Sequence, residues 1–203
     1  NPNIAPDAPP PAAVHPYHPY VQAGITNMQS GQYTEAMVEF QKFIQIEPNN
    51  FEARLLLGNS YSAMGKYQLA LTHLMKAVEL EPNNFHANWD VGHAYLHMDD
   101  YENTLKHFKK AAELEPNNFE AHLLLGNRYR EIGKYQLAFN HLKKAVELEP
   151  NNFDANWDVG HAYLNMNDFE NSLKHFKKAA ELELNHFGAS SMIGHVYLDT
   201  GRF

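Results

Sequence analysis

Apolar residues recur every three or four positions along most of this chain, and the apolar runs come in pairs. Between Phe51 and Ser62 the spacing fits one helix, a Met-Gly-Lys break follows, and a second periodic run continues through Leu80. Asn50 suits the N-cap of the first helix, and Pro82 follows the end of the second. The pattern therefore predicts two helices joined by a tight turn.

This pair of runs repeats at a constant interval along the chain. Glycine occupies the eighth residue of each unit, and four prolines are equally spaced: Pro48, Pro82, Pro116 and Pro150. The units are residues 17–50, 51–84, 85–118, 119–152, 153–186 and, in part, 187–203. Residues 1–16 are rich in proline and alanine and cannot bury a core, so they predict a flexible arm.

The units resemble the tetratricopeptide repeat, which has a 34-residue period, a Leu-Gly-x-x-Tyr core and a closing proline. Here the core reads Leu57-Gly58-x-x-Tyr61, and four later units carry its equivalent. The resemblance covers about residues 17–203. It implies an all-α, right-handed solenoid of antiparallel helix pairs, with five full repeats and a half repeat. The family's usual aromatic at the fourth position of a repeat is replaced by Arg54, Asn88, His122 or Asn156.

A second level of repetition joins the units in twos. Residues 51–118 and 119–186 align without gaps and are identical at 53 of 68 positions. We interpret this as a tandem duplication of two unlike repeats, although selection for a uniform surface would give the same pattern.

A stack of helix pairs curves, so its first helices are expected to line a concave face. The family resemblance places the second, fifth, ninth, twelfth and thirteenth residues of each repeat there. We therefore expect a partner-binding groove lined by Glu52, Leu55, Asn59, His86, Trp89, His93, His97, Glu120, Leu123, Asn127, Arg130, Asp154, Trp157 and His161.

Two side-chain types in this predicted groove suggest ways to hold a ligand. Trp89 and Trp157 are large amphipathic anchors of the kind that dominate interfaces, unless each packs within its own repeat or the next. Asn59 and Asn127 would clamp the backbone of an extended peptide, as similar repeats do, unless they are ordinary solvated side chains.

Charge narrows the class of partner. The chain has 16 basic and 24 acidic residues, a net charge of -8, which argues against a nucleic-acid binder. In the groove stripe, Glu52, Glu120, Glu131 and Asp154 oppose Arg130 alone. The lysine-rich clamp by which some family members hold acidic tails is missing. We expect a neutral or basic extended segment, or a helix, of another protein as the ligand.

The sequence also excludes several classes of protein. It has no cysteine, no apolar run of the ~18–20 residues that a membrane span needs, and no phosphate-loop or catalytic motif. We expect a soluble, non-enzymatic protein without a cofactor. The compartment stays open, since the chain is either cytoplasmic or exported after loss of a signal peptide.

Thirteen histidines are the compositional oddity. His93 and His97, one helical turn apart, form a weak candidate for a shared metal ion, with no carboxylate obviously placed beside them. A column of four recurs once per repeat and predicts a half-buried packing position: His73, His107, His141 and His175. If the histidines titrate near pH ~6.5, mildly acidic pH would offset the negative charge and favour self-association.

The sixth unit offers an alternative function. Its predicted single helix leaves Ile193, Val196 and Tyr197 without a partner helix, and these three form a candidate self-assembly face. Head-to-tail stacking of copies through such a face would give an oligomer or an open filament. The alternative to a binding scaffold is therefore a self-assembling structural protein.

Overall fold

The computed structural model describes residues 18–184 and 186–201, and the predicted arm at 1–16 lies outside them. These described residues form eleven α-helices and no strand. The helices are α1 (Pro19–Gln29), α2 (Tyr33–Ile46), α3 (Phe51–Ala63), α4 (Tyr67–Leu80), α5 (Phe85–Leu96), α6 (Tyr101–Leu114), α7 (Phe119–Glu131), α8 (Tyr135–Leu148), α9 (Phe153–Asn165), α10 (Phe169–Leu182) and α11 (Phe187–Asp199).

Local sequence accounts for the start of several helices and for the turns that end them. Four asparagines each accept a hydrogen bond from a backbone N–H in the first turn and so cap α3, α5, α7 and α9. The turns between paired helices contain a residue with positive φ, at 57° to 75°, in the left-handed region. Three of these five turns use glycine there, and the other two use Asp99 and Asn167, which tolerate this backbone conformation.

The glycine at the eighth position lets the two helices of a repeat approach closely. A Cβ on Gly92 would lie 2.5 Å from the ring of Phe108, and a Cβ on Gly126 would lie 2.6 Å from Leu142. Phe108 and Leu142 are fully buried. In these repeats, therefore, a large apolar side chain of the second helix occupies the space that a side chain on the glycine would need.

Consecutive helices pack on one another along the whole array, which confirms the predicted all-α solenoid. First helices of neighbouring repeats also contact each other, in the pairs α1 with α3, α3 with α5 and α7 with α9. Among the described residues, no comparable contact joins two second helices. The first helices thus lie on the inner side of the curve, and the second helices lie outside.

The length and polarity of the helices bear on membrane insertion. Within residues 18–184 and 186–201, none of the helices is both long enough and apolar enough to cross a bilayer.

Alanine substitution at equivalent glycines tests the close approach. We expect Gly92→Ala to lower the free energy of unfolding by about 1–3 kcal/mol, because the new methyl group overlaps Phe108. Gly194→Ala is the matched control: it occupies the same repeat position, but no atom lies within 4 Å of its Cβ, so it should stabilise the helix by about 0.5–1 kcal/mol. Thermal unfolding followed by circular dichroism measures both. Equal shifts would contradict the packing account.

Candidate functional site

The predicted groove residues lie on α3, α5, α7 and α9, the helices on the inner side of the array, and at the end of α5. Four of them are exposed, and we call them the groove rim: His86, His97, Glu120 and Asp154. The other ten are half-buried and form the groove floor: Glu52, Leu55, Asn59, Trp89, His93, Leu123, Asn127, Arg130, Trp157 and His161. The floor side chains keep part of their surface accessible to a ligand.

Trp89 packs within its own repeat. Its ring centroid lies 5.6 Å from that of Phe85, 4.8 Å from that of His93 and 5.1 Å from that of Phe108. Trp157 repeats this arrangement and also contacts His186, which caps the N-terminus of α11, at 5.4 Å. Each ring is thus held in one orientation by aromatic neighbours, and only part of it is left for a ligand.

Asn59 and Asn127 hydrogen-bond to the following repeat. The amide of Asn59 donates to Asp90 at 2.9 Å, and that of Asn127 donates to Asp158 at 2.6 Å. One hydrogen of each amide is therefore already used within the chain. The peptide clamp stays a prediction. At Asn127 it rests on the remaining amide hydrogen, because the Oδ1 atom of this residue is buried.

The groove-stripe prediction missed both aspartates, which occupy the sixth position of their repeats. Burial raises the pKa of Asp90 and of Asp158, while the hydrogen bond from the asparagine acts in the opposite direction. The signal in the sequence was a carboxylate directly after a tryptophan, at the same position of two first helices. Its hydrogen-bond partner, however, lies on the first helix of the preceding repeat.

Arg130 crosses the groove floor to the next repeat. Its guanidinium lies 3.4 Å from the carboxylate of Asp158. Burial lowers the pKa of His161 to about 4, and the charge of Arg130 acts in the same direction. Arg128 pairs with Glu131 at 2.7 Å. Both arginines are thus engaged by acidic groups of the chain itself, which leaves Glu120 and Asp154 on the rim without an opposing basic side chain on the floor.

His93 and His97, the weak metal candidate, have different neighbours. His93 contacts Trp89 and Phe108 edge-on, whereas His97 stacks on Tyr67 with centroids 4.4 Å apart. In the part of the chain that the structure describes, no group of three or more histidines, aspartates and glutamates is placed to hold a metal ion.

The histidine column lies on the second helices, and its hydrogen-bond partners explain the departure from the family pattern. Each histidine bonds to the fourth residue of its own repeat, in the pairs Arg54–His73, Asn88–His107, His122–His141 and Asn156–His175, at 3.0 to 3.3 Å. The fourth residue also donates to the carbonyl of the preceding loop proline. A polar bridge thus replaces an aromatic contact, and the sequence signal was that Arg, Asn and His can all form hydrogen bonds.

Tyrosines cover the other side of this column. The ring of His141 stacks on Tyr129 with centroids 5.7 Å apart, and the three equivalent pairs are arranged in the same way. Burial lowers the pKa of all four histidines, to about 4 at His107 and His141.

These pKa shifts correct the expectation that the histidines titrate together near pH ~6.5. Burial also lowers the pKa of His93 and His161, so six histidines stay neutral below that pH. The charge available to offset the acidic groups in mild acid is correspondingly smaller. The hypothesis of acid-induced self-association is therefore weakened.

The candidate self-assembly face is only partly accessible. Val196 is 1% exposed, because α11 packs on α10 and Val196 lines a cleft with Phe169 and Leu173. Its inclusion in an open face is wrong for that reason. Ile193 and Tyr197 are half-buried, and the Lys177 ammonium lies 5.5 Å from the centre of the Tyr197 ring. Much more exposed nearby are Leu184, Phe187 and Leu198, at 86%, 85% and 64%.

Family models match most of the array. A TPR repeat model matches residues 126–167, and two tetratricopeptide repeat models match residues 27–88 and residues 85–118 and 153–186. No curated protein gives a significant match.

Solved structures of similar shape include MamA and YrrB. A crystal structure of MamA is 27% identical, covers 81% of this chain and 90% of that chain, and has a TM-score of 0.75. MamA 41-end from Desulfovibrio magneticus RS-1 is 25% identical over 83% of this chain and 95% of that chain, with a TM-score of 0.75. YrrB, described as a TPR protein with an unusual peptide-binding site, is 21% identical, covers 86% and 90%, and has a TM-score of 0.78. At that identity YrrB shows a shared fold.

The histidine column makes stability depend on pH. In the unfolded chain a histidine binds its proton near pH ~6.5, whereas His141 in the folded chain stays neutral to about pH 4. Protons therefore favour the unfolded state below the unfolded pKa, and we expect the unfolding midpoint to fall between about pH 7 and pH 5. Each such histidine changes the free energy of unfolding by at most about 1.4 kcal/mol per pH unit, and solvent screening reduces this change at half-buried rings.

His141→Gln tests the origin of this dependence, since glutamine can donate a hydrogen bond but binds no proton. Its unfolding midpoint should fall less steeply with pH than that of the unmodified protein. The difference between the two proteins at pH 8 gives the packing cost alone. Parallel curves from pH 7 to pH 5 would show that His141 does not contribute.

Proposed function

The chain belongs to the tetratricopeptide repeat family, and we propose that it is a non-enzymatic scaffold that binds a neutral or basic segment of another protein in its concave groove. The observation that carries the proposal is the charge of the groove. Glu120 and Asp154 are exposed on the rim, whereas Arg130 and Arg128 are paired with Asp158 and Glu131.

The form of the ligand follows from the shape and lining of this surface. The floor offers half-buried aromatic rings at Trp89 and Trp157, two repeats apart, with polar side chains between them. An extended segment or a helix lying across several repeats would contact both rings, whereas a compact ligand would reach one. The peptide-binding site named for YrrB supports the general capacity of this fold, and the preference for basic segments rests on the charges of this chain.

Selection from a random peptide library on the immobilised protein tests the proposal. We expect the selected peptides to be enriched in basic and apolar residues. The double variant Glu120→Gln with Asp154→Asn should weaken their binding by several-fold at low salt, because it removes two exposed groove charges. The matched control, Glu147→Gln with Glu181→Gln, removes two exposed charges from the second helices and should leave binding unchanged. Enrichment of acidic peptides would overturn the proposal.

A second candidate function, head-to-tail self-assembly, is favoured by a different observation. Phe187 is 85% exposed, whereas Phe85 and Phe153, at the same repeat position, are half-buried. Phe153 is covered in part by His186, at 4.5 Å, and among the described residues no further repeat covers Phe187. An exposed apolar group of this kind, together with Leu198, would be buried by a second copy.

Sedimentation at increasing protein concentration tests self-assembly. If copies stack through this surface, the mass should rise with concentration, and Phe187→Gln with Leu198→Gln should keep the protein monomeric. Ile46→Gln is the control, since Ile46 is 57% exposed on α2, in another part of the array. A monomer at every concentration would exclude stacking, as would an equal effect of the control.

A further inference from the structure

The duplicated pairs of repeats, residues 51–118 (the first pair) and 119–186 (the second pair), contain an equivalent aspartate in two different settings. Asp90 and Asp158 lie two repeats apart at equivalent positions, and each accepts a hydrogen bond from an asparagine of the preceding repeat. The chain thus provides an internal comparison, since the two pairs are identical at most aligned positions and the differences are confined to few sites.

The two aspartates differ in the residue that faces them from the twelfth position of the preceding repeat. In the second pair this residue is Arg130, whose guanidinium reaches the Oδ1 atom of Asp158 at 3.4 Å, and the aspartate side chain is 8% exposed. In the first pair it is Ser62, which is too short to reach Asp90. Among the described residues, the Oδ1 atom of Asp90 has no hydrogen-bond partner, and the residue is half-buried rather than buried.

Asp90 is therefore a partly desolvated carboxylate with a single hydrogen bond. Partial removal from water destabilises its charged form, and the asparagine amide offsets only part of this cost. A guanidinium group offers two parallel N–H donors that match the geometry of a carboxylate. The second pair shows that the groove accommodates such a group between the twelfth residue and the aspartate.

The surroundings of Asp90 include two glutamates and one basic side chain, His86. One helical turn away lies a cleft of about 460 Å³ lined in part by Glu52, Glu81 and His86. The position equivalent to Glu131, which pairs with Arg128 in the second pair, is Ala63 in the first. Of the two acidic groups that arginines engage in the second pair, the first pair therefore keeps only Asp90, and it keeps it without the arginine.

We propose that Asp90, with Asn59 and Ser62, forms a subsite for an arginine side chain of the bound segment, in the place that Arg130 occupies in the second pair. This inference rests on the proposed function, because it names the chemistry of one residue of the segment in the same groove. The two pairs of repeats then differ in their partner. In the first pair the aspartate is open to a cation of the ligand, and in the second pair the aspartate is occupied by Arg130 of the chain itself.

The probe for this subsite is the tripeptide acetyl-Gly-Arg-Gly-amide, with the citrulline peptide as its neutral isostere. The chain has two tryptophans, and each immediately precedes one of the two aspartates. Their indole N–H signals in nuclear magnetic resonance spectra therefore report the two sites separately. We expect the arginine peptide to shift the Trp89 signal and not the Trp157 signal, and to bind about ten-fold more tightly than the citrulline peptide.

Three variants test the assignment, with circular dichroism to check that each is folded. Ser62→Arg should abolish the response of Trp89, because the chain then supplies its own cation as Arg130 does. Asp90→Asn should weaken binding of the arginine peptide about ten-fold without changing that of the citrulline peptide. Arg130→Ser should open the second site, so that Trp157 also responds.

Unchanged binding in Ser62→Arg and Asp90→Asn, or no response of Trp157 in Arg130→Ser, would overturn the subsite. If a lysine peptide binds equally well, the site is a general cation site, and the preference for arginine is overturned. If the binding of library peptides depends on Glu120 and Asp154 but is unchanged by Asp90→Asn, the subsite is overturned and the proposed function stands. Conversely, if the Trp89 signal responds to the arginine peptide but the protein selects no library peptide, the proposed function is overturned and the cation-binding site stands.

Discussion

The contact between a glycine of the first helix and a large apolar side chain of the second determines the geometry of the repeats. Where Phe108 or Leu142 fills the space above the glycine, the two helix backbones approach more closely than any larger residue would permit. Because the contact recurs at the same position, the helix pairs stack in a regular way and the first helices come to lie side by side on the inner face. The groove is a consequence of this packing.

Regular stacking also decides which polar groups meet. Asn127 and Arg130 of one repeat reach Asp158 of the next, because the ninth and twelfth residues of one inner helix face the sixth residue of its neighbour. The equivalent contact at Asp90 contains only the asparagine. Two nearly identical halves therefore differ in how many of their charges are satisfied internally, and the less satisfied half is the one that offers a ligand a partner for its own charge.

The polar residue at the fourth position of a repeat needs hydrogen-bond partners. Replacing an aromatic at the fourth position with Asn88 or His122 would leave a polar group in the interior of the repeat. The histidine of the second helix and the carbonyl of the loop proline supply the missing hydrogen bonds, and a tyrosine covers the ring. The consequence is a set of histidines whose pKa is lowered by burial, which couples the stability of the array to pH.

Periodicity determined the helix pairs. The resemblance to the tetratricopeptide repeat, which rests on glycines and prolines that recur at its period, implied their stacking and the face on which Trp89 and Trp157 lie. It also identified the acidic character of the groove. Only the tertiary structure decided which of the predicted side chains are accessible to a partner. Asn59 of the groove already donates to Asp90, and Val196 of the candidate self-assembly face is buried against α10. Such pairings join residues on different helices through a distance that depends on how closely neighbouring repeats pack, and no local pattern in the sequence records that distance.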